Sequence, residues 1–196
     1  MIRSNHIGVA ILLGTLLVSN TSFAASCNER SPNLISLGDN YYDLDVVPLT
    51  PEDRKAIISI AKKMVGHWKG EGTRFQCTGS DEDPGVENST ISLTANIAID
   101  SSGALQINTE KYIKEERVRF QDTLVLFSNL AEQSAAIIPN GFEVIEKFRS
   151  KTNEKYRPLT EIIHSVTYSR QSLIYTLSIY ANGYLAEQEH WKLIRN

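Results

Sequence analysis

Residues 91–99 have the sequence Ile-Ser-Leu-Thr-Ala-Asn-Ile-Ala-Ile, and this stretch decides the fold class. Nearly every second residue is apolar, which is typical of a β-strand with one buried face. Further strand-like runs follow to the C-terminal end of the chain, and turn sequences such as Pro139-Asn140-Gly141 and Asn182-Gly183 separate them. Because no helix long enough for a crossover lies between these runs, we expect about nine mainly antiparallel strands.

A meander of this length either closes on itself or leaves two exposed edges, and closure removes the edges. We therefore predict a mainly β fold, an antiparallel up-and-down β-barrel of about 8–10 strands with one N-terminal helix. A two-sheet sandwich is the alternative. The strand over 118–127 is expected to be irregular near Asp122, where the apolar alternation slips.

The helix is predicted to begin at Thr50-Pro51-Glu52-Asp53. Thr50 can cap it, Pro51 suits the first helical position, and the acidic pair suits the positive end of the helix dipole. Apolar residues then recur at three- and four-residue spacing, and Gly66 is a natural stop. This pattern predicts one amphipathic helix directly before the first strand.

The 196 residues divide into three predicted segments. Residues 1–24 have the layout of a secretory signal peptide, because Arg3 precedes an uncharged apolar run and Ser22-Phe23-Ala24 fits a small-x-small cleavage pattern. Residues 25–49 are expected to form an extended arm, and 50–196 the helix plus barrel. We therefore expect export to the periplasm or the extracellular space, without a transmembrane segment after signal cleavage. A lipoprotein attached through Cys27 is the alternative.

Cys27 and Cys77 are the only two cysteines. In an exported chain two cysteines indicate one disulfide, here between the arm and the first strand. The bridge would close a loop of about 50 residues, which stabilises a fold by roughly 4 kcal/mol in the chain-entropy model.

Two short motifs at the ends of the predicted barrel resemble the lipocalins and the wider calycin group. Gly66-His67-Trp68 resembles the Gly-x-Trp motif that starts their first strand, and the chain ends in Trp191-Lys192-Leu193-Ile194-Arg195. The resemblance implies that Arg195, near the end of the last strand, packs over Trp68. Residues 66–72 are also similar to the start of nitrobindin-type barrels. As a function, the resemblance implies non-covalent binding of a small apolar or amphipathic molecule.

Pairing of the first and last strands has one chemically consistent register. If Trp68 lies opposite Arg195, the following pairs are Gly70 with Leu193, Gly72 with Trp191, Arg74 with Glu189, and Gln76 with Glu187. The first four pairs match a cation to an aromatic ring, two large residues to glycines, and two opposite charges to each other. A slip of one residue would destroy the whole set.

In this register Arg74 and Glu189 face the interior, and Tyr175 of the adjoining strand is expected to face it too. We therefore take these three residues as candidate ligand-binding residues, because barrels of this class often place an Arg inside to receive a carboxylate. The alternative is a structural ion pair, since a buried Arg needs an anion.

Other chemistries find little support in the sequence. The chain has a formal charge of −3 and no basic cluster, which argues against nucleic acid. No zinc motif, P-loop or catalytic motif is present, so we expect no metal, no cofactor and no enzyme activity. Nitrobindin-like proteins hold haem through a His near the chain end, but the register points His190 outward. The alternative to ligand binding is a non-enzymatic envelope accessory or protein-interaction module with a filled barrel, whose arm (28–49) meets an unidentified protein partner.

Overall fold

The computed structural model describes residues 26–32, 50–79, 83–127, 133–149 and 159–196. The predicted signal peptide (1–24) and most of the predicted arm lie outside the described residues. Within those ranges one helix precedes nine strands. The elements are α1 (Pro51–Met64), β1 (Gly66–Gly79), β2 (Pro84–Ile99), β3 (Leu105–Ile113), β4 (Val118–Leu126), β5 (Gln133–Ile138), β6 (Gly141–Arg149), β7 (Leu159–Tyr168), β8 (Ser172–Ala181) and β9 (Tyr184–Arg195).

The helix α1 begins and ends where its capping residues predict. The Thr50 hydroxyl accepts a hydrogen bond from the Asp53 amide (3.1 Å), and Pro51 is the first helical residue. The buried side chains of α1 are Ile57, Ala61 and Met64. They lie at three- and four-residue spacing and join the core of the sheet.

The nine strands form one antiparallel sheet in the order β4-β3-β2-β1-β9-β8-β7-β6-β5. The predicted mainly β, up-and-down fold with one preceding helix is therefore confirmed. The sheet curls strongly into a half-barrel, and β4 and β5 are the two edges of the described sheet. Side chains nevertheless connect the two halves, because the ring of Phe127, just after β4, lies 5.4 Å from the ring of Phe142 in β6.

The predicted pairing of the first and last strands is confirmed. Trp68 pairs with Arg195, and the pairs predicted for Gly70, Gly72, Arg74 and Gln76 follow in the same register. Both glycines are required by their partners. A Cβ on Gly70 would lie 2.0 Å from the Lys192 carbonyl oxygen, and one on Gly72 would lie 2.8 Å from Cδ1 of Trp191.

Arg195 joins the last strand to the end of the helix. Its guanidinium lies 4.7 Å from the centre of the Trp68 ring, as the calycin resemblance implies. It also donates hydrogen bonds to the carbonyl oxygens of Lys63 (2.7 Å) and Val65 (3.3 Å). The Trp68 indole in turn donates to the Met64 carbonyl (2.8 Å). These contacts hold α1 against the start of β1.

The irregularity predicted near Asp122 is wrong. The β3–β4 register runs without a shift through Asp122, which pairs with Thr109. The apolar alternation of β4 is interrupted because Asp122 is a polar residue on the inward face. The register shift that the structure does show lies in β8, between Ile179 and Tyr180.

The predicted disulfide between Cys27 and Cys77 is confirmed, with 5.7 Å between their Cα atoms. It ties the described part of the arm, residues 26–32, to β1. No helix in the described part of the chain is long and apolar enough to cross a membrane.

Candidate functional site

Polar side chains from both sides of the β1–β9 pair meet at one end of the sheet's inner face. We call this set the interior polar cluster. Its members are Arg74, Lys111, Asp122, Glu146, His164, Tyr175, Glu187 and Glu189. The rest of the inner face is mostly apolar, with Trp68, Ile91, Leu93, Ile97, Leu105 and Ile107 among its buried residues. The interior is therefore apolar over most of its length and polar at one end.

Lys111 and Glu189 form the centre of the cluster. The Lys111 ammonium lies 2.9 Å from a Glu189 carboxylate oxygen, and both side chains are about 95% buried, with 4% and 5% exposed. The same oxygen accepts a hydrogen bond from the Trp191 indole nitrogen (3.0 Å). The ammonium also lies 4.7 Å from the centre of the Trp191 ring. Each charge thus has a partner of opposite sign, while the second Glu189 oxygen, Oε1, lies 4.0 Å from the Arg74 Nε, beyond hydrogen-bond distance.

Arg74 has a different main partner from the one we predicted. It lies opposite Glu189 in the sheet, but its Nε is 4.0 Å from that carboxylate and donates to Glu187 at 2.8 Å. The hydrogen bond to Glu187 is the main cause that raises the pKa of Arg74. Because Arg74 already has carboxylate partners, the expectation that it receives a ligand carboxylate finds no support in this geometry.

Tyr175 does face the interior, as predicted, and is 1% exposed. Its ring packs on Trp191 with 4.2 Å between centroids, and its hydroxyl lies 2.9 Å from Nδ1 of His164. Burial lowers the pKa of His164 to about 4, and burial is also the main cause that raises the pKa of Tyr175. Both groups are therefore neutral at neutral pH. The Glu146 carboxylate, 3.9 Å from His164 Nε2, favours the tautomer with the proton on Nε2, in which Nδ1 accepts from the Tyr175 hydroxyl.

The cluster is partly open to solvent, most of all at Asp122. The Asp122 carboxylate lies 3.6 Å from the Lys111 ammonium and is 56% exposed, on the edge strand β4. Arg74 is 24% exposed at the other side of Glu189. Four carboxylates accompany two permanent cations here, so the cluster carries a net negative charge.

Two central residues, Lys111 and His164, were not among the predicted site residues. Lys111 carried a usable signal, because it continues the alternation of Leu105, Ile107 and Thr109 and must share their inward face. The sequence signal for His164 was weaker. Strand β7 is buried on both faces around this residue, so alternation does not show which face of the strand His164 lies on.

The other two histidines in the described ranges, His67 and His190, lie outside the cluster. His190 alternates with the inward-facing Glu189 and Trp191, and its Nδ1 lies 3.0 Å from the Thr176 hydroxyl. His67 is exposed. Across the ranges that the structure describes, no three His, Cys, Asp or Glu side chains are grouped to hold a metal ion.

No protein-family model matches the sequence, and no curated protein matches it either. Among solved structures, the chain is similar to a 12:0-ACP thioesterase from Umbellularia californica, with 6% identity and a TM-score of 0.18. That match covers 72% of this chain and 83% of the thioesterase. A TM-score this low carries no argument about fold or activity.

Proposed function

We propose that this chain is an exported, non-enzymatic binding protein that holds a small amphipathic molecule on the inner face of its curled sheet. The polar part of the ligand contacts the interior polar cluster, and its apolar part lies along the aromatic residues beside that cluster. The observation that carries the proposal is the buried Lys111–Glu189 pair at the polar end of a mostly apolar interior. The disulfide supports the exported setting, because such bonds persist in oxidising compartments.

The energetics of the pair favour a functional role. A buried ion pair contributes little net stability compared with apolar residues of the same size, because desolvation offsets the attraction. A fold that needed only a filled core would gain nothing from Lys111 and Glu189. Groups of this kind, with His164 and Tyr175 strongly shifted in pKa beside them, are concentrated at functional sites.

The charge balance of the cluster narrows the class of ligand. Arg74 and Lys111 each have carboxylate partners, and the cluster is negative overall. An anionic head group would meet this negative charge, whereas an amine or hydroxyl could donate to Glu189 or Asp122. We therefore assign a neutral or cationic amphiphile, in place of the fatty acid that an inward-facing Arg suggests.

Tryptophan fluorescence tests the proposal directly, because the chain has only Trp68 and Trp191. The protein is titrated with dodecylamine, dodecanol and dodecanoate below their aggregation concentrations. The proposal predicts saturable quenching by the amine and the alcohol, retained in Trp68→Phe and lost in Trp191→Phe. Tyr175→Phe should weaken binding, while Lys114→Met, in an exposed Lys–Glu pair, serves as the matched control. Equal responses to all three probes, or none, would contradict it.

A second candidate function is that of an envelope accessory or protein-interaction module whose interior is filled by its own side chains. It is favoured by one observation: every buried side-chain nitrogen and oxygen in the described ranges has a hydrogen-bond partner. Solvent extraction of the purified protein followed by mass spectrometry separates the two functions. A stoichiometric small molecule supports the binding protein, and an empty extract together with failed titrations supports the module.

A further inference from the structure

A second apolar cluster lies on the outer side of the sheet, away from the interior. Its buried residues are Phe75, Ile163, Tyr180 and Leu185. Phe75 alternates with the inward-facing Arg74 and Gln76 in β1, so it points to the opposite face. Outer faces of curled sheets normally meet solvent, yet these residues are at most 9% exposed. Among the described residues, the arm segment 26–32 packs on them through Cys27.

The covering segment is attached like a short extra strand. Arg30 forms an isolated antiparallel bridge with Tyr184 at the start of β9. The Ser31 amide donates to the Gly183 carbonyl (3.0 Å), and the Leu185 amide donates to the Glu29 carbonyl (2.9 Å). The donors of these two backbone hydrogen bonds belong to buried residues, since Ser31 is 4% and Leu185 2% exposed, and each bond has a modest net strength.

Side chains add two further contacts. The Arg30 guanidinium lies 5.2 Å from the centre of the Tyr184 ring, on an exposed part of the surface. The buried Ser31 hydroxyl donates to the Glu161 carboxylate, which lies 3.6 Å from the Lys147 ammonium. The segment therefore closes over a charged pair as well as over apolar side chains.

The disulfide is the covalent element of this attachment. Cys27 and Cys77 are both partly buried against the outer cluster, next to Ile145. Cys77 belongs to β1, so the bond fixes the segment to the sheet at one end. The bond joins residues 50 positions apart, so its reduction returns chain entropy and weakens the attachment of the segment.

We propose that residues 26–32 form a redox-controlled cover over the outer apolar cluster. In the oxidised protein the disulfide keeps the cover closed. A dithiol reductant opens it: one reductant thiolate attacks a cysteine sulfur, breaking the S–S bond and forming a mixed disulfide. The second reductant thiol then displaces the attached cysteine. The reductant gives up two electrons and becomes a disulfide, and its two protons end on Cys27 and Cys77 as thiols.

Opening changes what the outer face presents. Phe75 and Leu185 become exposed, together with the Gly183 carbonyl and the Leu185 amide that the cover had paired. Extended peptide segments bind to surfaces where apolar side chains lie beside unpaired backbone amides and carbonyls of a strand. The interior polar cluster is on the other side of the sheet and is not part of this change.

Hydrogen exchange of the purified oxidised protein, with and without dithiothreitol, tests the cover. We expect exchange at the Ser31 and Leu185 amides to accelerate by roughly 30-fold or more on reduction, as local closure is lost. The β1–β9 ladder around Trp68 should keep its protection. Fluorescence of an apolar-surface dye should rise in parallel.

A double variant, Cys27→Ser with Cys77→Ser, supplies the matched control. It should exchange like the reduced protein and show no further response to dithiothreitol. Two results would overturn the proposal: unchanged exchange at Ser31 and Leu185 on reduction, or loss of protection in the β1–β9 ladder at the same rate. The second result would show that the disulfide stabilises the whole fold and not the cover alone. The comparison of the wild-type protein with and without reductant is sufficient alone, so the test does not require the double variant to fold.

Discussion

Replacing Lys111 by Met removes the ammonium of the interior polar cluster and keeps most of the side-chain volume. At 2.9 Å from the Glu189 carboxylate, the lost attraction is about 6 kcal/mol with an effective dielectric constant of about 20. In the intact pair this gain is offset by desolvation of both charges. In the variant the carboxylate stays buried without its partner, which typically costs about 3–5 kcal/mol. We expect the lower end, about 3 kcal/mol, because the Trp191 indole and Arg74 (4.0 Å) still face Glu189.

Urea denaturation followed by circular dichroism measures this change, and the chain contains a matched control. Lys114 pairs with Glu71 at 3.1 Å, but these side chains are 44% and 71% exposed. Lys114→Met should therefore cost no more than about 1 kcal/mol. Adding Glu189→Gln to Lys111→Met removes the buried charge and keeps an acceptor for the Trp191 indole. That double variant should recover at least about 1.5 kcal/mol of the loss.

Equal losses in free energy of unfolding for Lys111→Met and Lys114→Met would contradict this expectation, because burial is what distinguishes the two pairs. A double variant as unstable as Lys111→Met alone would contradict it too. The loss would then come from packing of the lysine stem, since removal of the Glu189 charge would have changed nothing.

Three further predictions concern other parts of the structure. The pKa of His164 is about 4 in the folded protein and about 6.5 when unfolded, so below pH 6.5 the unfolded state binds more protons. Stability should thus fall by about 3 kcal/mol as the pH drops from 6.5 to 4, and His164→Gln should remove this part of the slope in denaturation curves; an unchanged slope would contradict it. Gly72→Ala should destabilise by about 1–3 kcal/mol or prevent folding, because its Cβ would lie 2.6 Å from the His190 carbonyl oxygen; a wild-type melting temperature would be the contrary result. Arg195→Met should cost about 1–2 kcal/mol, through loss of its contacts with Trp68 and two carbonyls at the end of α1, and should speed amide exchange in α1 before β9; uniform exchange throughout would argue against that attachment.

The pairing of β1 with β9 could be predicted from sequence because its constraints are local and steric. Gly70 and Gly72 leave room for one partner each, and Leu193 and Trp191 are the large residues at matching spacing. A slip by one residue would place large side chains against Cβ atoms and reverse every face. The helix ends were predictable for a similar reason, since Thr50 and Pro51 act within a single turn.

The ends of the sheet were not predictable in this way. Whether β4 meets β5 depends on the curvature summed over nine strands, and no local pattern encodes that sum. Likewise, the two cysteines indicated a bond but not what lies beneath it. The outer apolar cluster draws its residues from β1, β7, β8 and β9, which only the folded sheet brings together.

The partner of Arg74 shows why a correct register still left the site incomplete. Glu189 lies directly opposite Arg74, so pairing alone assigns the two to each other. Lys111 comes from β3, two strands beyond β1, and its ammonium holds the Glu189 carboxylate at 2.9 Å. Arg74 consequently donates to Glu187, the diagonal neighbour, which long side chains can reach. Two cations thus compete for the buried Glu189 carboxylate, and this competition determines the partner of Arg74. Arg74 is paired with Glu187 before any ligand binds.

The head group of a ligand should therefore be recognised by Glu189 and Asp122. Removing either carboxylate should weaken binding more than removing the positive charge of Arg74.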